Sequence, residues 1–86
     1  MEIILTEQFE QAYEKLSADE KKAIRKALML MEKNPKHPGL HTKKMQRITD
    51  IWEARPSRRL RMTFKMEGDT IFMRNVGEHD KVLKRP

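Results

Sequence analysis

Leu60-Arg61-Met62-Thr63-Phe64-Lys65-Met66-Glu67-Gly68-Asp69-Thr70-Ile71-Phe72-Met73-Arg74-Asn75-Val76-Gly77 reads as two strands joined by a tight turn. Leu60, Met62, Phe64 and Met66 alternate with Arg59, Arg61, Thr63 and Lys65. A period of two puts the apolar set on one face of a sheet and the basic set on the other. Glu67-Gly68-Asp69 is a hairpin turn, and the partner strand runs from Thr70 to Val76, ended by Gly77.

The pattern extends upstream. Trp52 and Ala54 point one way, and Ile51, Glu53 and Arg55 the other, so Ile51–Arg55 is a further strand; Pro56-Ser57 turns the chain back. Before it lies a basic loop, residues 35–46, with Pro35, Pro38, Gly39, Lys36, His37, His41, Lys43 and Lys44. Earlier still the period becomes helical. Phe9, Ala12, Tyr13 and Leu16 form one stripe after the N-cap Thr6, and Ile24, Ala27, Leu28 and Met31 form a second. Ser17-Ala18-Asp19-Glu20 is a capping box between them, and Asn34-Pro35 stops the second helix. Glu2-Ile3-Ile4-Leu5 is too short for a helix and reads as a first strand. Asp80 to Leu83 is expected as a short last strand or a loose tail. The order is β-α-α-β-β-β, an α+β layer in one domain of residues 1–86: a helical hairpin on a twisted, mostly antiparallel sheet whose other face is open.

Composition narrows the class. No cysteine is present, so no disulfide or zinc cluster supports the core. No apolar run is long enough for a signal peptide or a membrane span, which leads us to expect a cytoplasmic protein without membrane contact. Residues 1–34 hold six Lys/Arg and seven Asp/Glu, whereas residues 35–86 hold thirteen and six. The whole excess of +6 therefore sits in the C-terminal part, the footprint of a polyanion binder.

An Arg-lined face grips phosphate, and metal-free RNA cleavage needs a base for the 2′-hydroxyl, a cation for the phosphorane and an acid for the leaving 5′-oxygen. His79 is a candidate acid or base, Arg61 the cation, and Glu53, tuned by Arg55, a base. Each has a plainer role open to it: His79 as a solvated turn residue, Glu53 as the ion-pair partner of a nearby Arg, and Arg61 as a charge that keeps the sheet soluble. His37 and His41 stand i, i+4, but no carboxylate or cysteine accompanies them, so no metal or other cofactor is expected.

Trp52-Glu53-Ala54-Arg55, Leu60-Arg61-Met62-Thr63-Phe64 and Asn75-Val76-Gly77-Glu78-His79-Asp80, in this order of elements, resemble the RelE/ParE superfamily of toxins from bacterial toxin–antitoxin modules over nearly the full length. The Gly77-Glu78-His79-Asp80 turn is most similar to the YafQ type. The resemblance implies a ribosome-dependent mRNA endonuclease, neutralised by a cognate antitoxin in a hetero-oligomer. It places phosphate stabilisation on Arg61, acid–base positions on Glu53 and Arg55, and the residue after the Val-Gly-x turn on His79. Lys43 and Lys44 fall where members carry rRNA-contacting or catalytic basic residues. Arg58, Arg59, Lys65, Arg74 and Lys81 are the further candidates for contact with the RNA backbone. The chain departs from many active members in having no aromatic residue in Lys81–Pro86, and Glu53 stands where some relatives have Lys. The superfamily also contains DNA gyrase inhibitors and relatives without shown activity, which are the alternatives.

Overall fold

The computed structural model describes residues 1–86. Thr6 shows how the sequence sets the first corner. Its Oγ1 accepts the Phe9 amide at 3.3 Å and donates to the Met73 carbonyl at 2.7 Å, so one side chain both starts a helix and ties it to the sheet. The capping box forms as expected: Ser17 Oγ accepts from the Glu20 amide at 3.2 Å, and the Glu20 carboxylate accepts from the Ser17 amide at 2.9 Å. Strand β1 (Glu2–Leu5) leads into α1 (Glu7–Glu14) and α2 (Ala18–Lys33). A 3-10 turn (Pro38–Leu40), β2 (Lys43–Lys44), β3 (Trp52–Ala54), β4 (Leu60–Glu67), β5 (Thr70–Glu78) and α3 (His79–Lys84) follow.

The sheet order is β1-β5-β4-β3-β2, with β1 parallel to β5 and every other pair antiparallel. Leu60, Met62 and Phe64 of β4 are buried, together with Ala54, Ile71, Met73 and Val76 of its neighbours and Phe9, Ile24, Ala27 and Met31 of the helices. Each such side chain removed from water contributes roughly 1.5–3 kcal/mol, Ala less. This is the apolar layer that the alternation predicts. A β-bulge sits where Thr63 pairs with Asn75 but Phe64 pairs with Met73. The extra residue, Arg74, is exposed, and the bulge returns Val76 to the core face beside Met62.

Four expectations are corrected. The last strand does not stop at Gly77 but runs to Glu78. Gly77 lies inside it at φ 153, and a Cβ there would stand 3.7 Å from Val82. Residues 80–83 are neither a strand nor a loose tail: they belong to α3, whose Val82 is fully buried. The physical reason is coverage. The sheet face away from α1 and α2 carries Ile51, also buried outside the main core, and α3 packs against β4 and β5. That face is therefore partly roofed rather than open. The basic loop also has structure of its own, the 3-10 turn and β2, with Lys43 in register with Glu53.

Candidate nucleic-acid interface and active site

Glu53, Thr63 and Asn75 lie in register across β3, β4 and β5, and all three are buried. Polar groups in such a place need partners. Asn75 has them: its Nδ2 donates to the Arg85 carbonyl at 2.8 Å and its Oδ1 accepts from the Val76 amide at 2.9 Å. Glu53 Oε1 stands 3.4 Å from Arg61 Nε, with side-chain exposures of 9% and 12%. Arg61 Nη1 also donates to the carbonyls of Leu60 (2.9 Å) and Arg58 (3.1 Å). Thr63 Oγ1 alone has no partner. Arg61 and Glu53 thus take the ion-pair role open to Glu53 in the sequence. They hold the Ser57–Leu60 segment to the sheet.

The free charges stand at the rim. Arg55, Arg58 and Arg59, in the β3–β4 connection, are exposed and make no ion pair. A shallow hollow of about 300 Å³ is walled by Arg58, Arg59, Glu78, His79 and Asp80, with no apolar side chain. The β4–β5 register explains the meeting. Leu60 pairs with Glu78, so the residues just before β4 face those just after β5. His79 begins α3 with its side chain 54% exposed, and its Nδ1 makes a long contact of 3.4 Å to Asp80 Oδ1. A carboxylate at Nδ1 leaves Nε2 turned away from it, available to a ligand. Arg59 and Lys81 lie near Glu20, whose carboxyl is held below the ordinary carboxylate range by the Ser17 amide first, then the Ser17 hydroxyl.

The sequence-derived candidates therefore divide. His79, Arg58 and Arg59 come together. Arg61 and Glu53 pair with each other. Arg55 lies in a second hollow with His41, on the far side of Arg58. Lys43 and Lys44 are exposed on the edge strand β2, with Lys44 Nζ 5.9 Å from the Trp52 ring centre. Lys65 pairs with Glu67 at 3.0 Å, Arg74 Nε donates to the Pro86 carbonyl at 3.2 Å, and Lys81 is exposed on α3. Three residues went unassigned in the sequence: Glu78 and Asp80, in the wall of the first hollow, and His41, in the second. Glu78 could be found only by knowing that the strand continues past Gly77. For His41 the signal was Leu40, a lone leucine in a basic loop. Leu40 is buried and its carbonyl accepts the Arg55 amide at 2.7 Å, which pins that loop beside β3. No three His, Cys, Asp or Glu side chains stand close enough to hold a metal ion.

No protein-family model and no curated protein sequence matches the chain. Solved structures do. The chain is similar to the RelB–RelE antitoxin–toxin complex from Methanococcus jannaschii, with a TM-score of 0.78 at 16% identity, covering 94% of this chain and 95% of that one. It is similar to YafQ from E. coli (TM-score 0.77, 12% identity, 94% and 96% covered). It is also similar to the YoeB/ParE toxin from Agrobacterium tumefaciens (TM-score 0.77, 14% identity, 92% and 99% covered). At these identities the likeness speaks for the fold alone: the chain shares its architecture with these solved toxin structures over nearly its whole length.

Proposed function

We propose that this chain is the toxin of a type II toxin–antitoxin module and cleaves mRNA on the ribosome. The observation that carries the reading is the hollow in which an exposed imidazole, two unpaired guanidinium groups and two carboxylates meet with no apolar wall. In this reading Glu78 accepts the proton of the ribose 2′-hydroxyl, and the freed oxygen attacks phosphorus. The P–O5′ bond breaks, and protonated His79 gives its proton to the departing 5′-oxygen, leaving a 2′,3′-cyclic phosphate and a 5′-hydroxyl. Arg58 and Arg59 stabilise the added charge on the phosphorane, and Asp80 orients the imidazole. The nucleophile belongs to the substrate, so DNA is not cut by this route. Arg61 and Glu53 hold the β3–β4 connection in place and touch no substrate. The antitoxin partner is part of this reading, supported by the RelB–RelE complex among the similar structures.

Primer extension on translated messages after induction tests it. Wild type cuts within codons in the ribosomal A site, and His79→Ala lowers the cleavage rate about 10²–10⁴-fold with its melting temperature unchanged. Uncut messages with wild-type protein would overturn it. DNA cleavage complexes with gyrase, without message cuts, would move the chain to the gyrase-inhibitor alternative; harmless expression with retained antitoxin binding would mark an inactive relative.

A further inference from the structure

The chemistry above uses one hollow and leaves its neighbour unexplained. The second hollow, about 280 Å³, is walled by Gly39, His41, Arg55, Pro56, Ser57 and Arg58. Arg58 lines both, so the two meet at the β3–β4 connection. The second is firmly built. Leu40 anchors the loop in the core and accepts the Arg55 amide; Thr42 Oγ1 donates to the Pro35 carbonyl at 2.7 Å; His37 Nδ1 accepts the Gly39 amide at 3.0 Å. These contacts hold His41 at φ 49, ψ 45, a left-handed conformation uncommon outside glycine. His41 and Arg55 are both exposed, and neither forms an ion pair within the chain.

We infer that this hollow is a second backbone subsite, holding the phosphate next to the scissile one in a single-stranded RNA. Arg55 supplies its positive charge, the His41 imidazole donates an N–H to a phosphate oxygen, and Arg58 reaches both phosphates from between the hollows. The inference rests on the RNA reading above and deepens it. RNA fits better than an acidic peptide because protein partners bind through apolar anchors at the centre of the contact. Neither hollow offers one, Pro56 apart. Arg55 and His41 are then substrate-binding residues, and the hollow sets the register of the strand over His79.

Titration with short 2′-O-methyl oligouridylates, which lack the nucleophile and stay uncut, tests the assignment. Oligomers with one, two and three phosphates are followed by fluorescence anisotropy. For wild type, the second phosphate tightens binding about tenfold, the gain of one charge-assisted contact. His41→Ala and Arg55→Ala each remove most of that gain and leave one-phosphate binding as it was. Arg55→Ala also lowers the slope of log K against log salt by about 0.7, one released counterion. Both side chains are exposed, so circular dichroism spectra stay those of wild type. The subsite is overturned if the second phosphate adds nothing to wild type, if both variants keep the gain, or if a glutamate peptide of equal charge binds more tightly than the oligomer. Messages cut at wild-type rate by protein that binds no oligomer would overturn the subsite alone. Absence of both binding and cutting would remove the RNA reading with it.

Discussion

The two faces of the sheet are built from the same three strands and come out opposite. Toward α1 and α2, Leu60, Met62, Phe64 and Met73 are buried among one another. Toward α3, the same strands present Glu53, Thr63 and Asn75, buried but polar, and Arg61, partly buried. On the first face burial is its own reward, since apolar side chains need no particular partner. On the second each group must find one, and Glu53–Arg61 and Asn75–Arg85 do, whereas Thr63 does not. Arg61 is thus tied to Glu53 and to backbone carbonyls, whereas three residues away the exposed Arg58 makes no ion pair.

Four substitutions probe that contrast through stability. Phe64→Ala cuts into the dry face and should cost about 3–5 kcal/mol by denaturant unfolding; a loss under 1 kcal/mol would mean that the helices do not seal it. Glu53→Ala strands Arg61 without its counter-charge. We expect up to about 3 kcal/mol lost, the pair not being fully dry, and much of it recovered in Glu53→Ala/Arg61→Met. A double variant no better than the single would show that the pair is not the relevant unit. Thr63→Val replaces the unpartnered hydroxyl with a methyl group of like shape, and should raise stability by about 1 kcal/mol. A drop would mean that the hydroxyl has a partner after all. Ser17→Ala removes half of the capping box at the start of α2, for about 1 kcal/mol.

The same cap has a pH signature. The Glu20 carboxyl is lowered from its ordinary value by the Ser17 amide and hydroxyl. Its contribution is therefore complete above the ordinary glutamate range and fades as pH falls through the lowered value. Thermal melts of wild type and Glu20→Gln should converge on acidification; a gap independent of pH would contradict the assignment.

The dry face was legible because alternation in β4 and the stripes Phe9–Leu16 and Ile24–Met31 are local patterns. So was the capping box. The polar face was half legible. Period two placed Glu53 and Arg61 on it correctly, but it does not tell a solvated arginine from one held to carbonyls, because that depends on how the β3–β4 connection turns. The helix itself was missed. Six residues with one buried valine make no amphipathic stripe, and Gly77 reads as a strand end when it in fact lies within β5, beside Val82. The rim site was legible in its residue types, His79, Arg58 and Arg59, but not in its pairing. Their convergence comes from the β4–β5 register, and that register includes a bulge at Arg74 which no short-range pattern announces.

The most direct test sets Arg58→Ala beside Arg61→Ala, with message cleavage and melting temperature measured for both. Arg58→Ala should cleave about 10²–10³-fold more slowly and melt like wild type, and Arg61→Ala should melt lower and, where still folded, bind short oligomers as wild type does. An Arg58→Ala protein that cuts at full rate, or an Arg61→Ala protein that melts normally and cuts nothing, would contradict the division of labour between rim and frame.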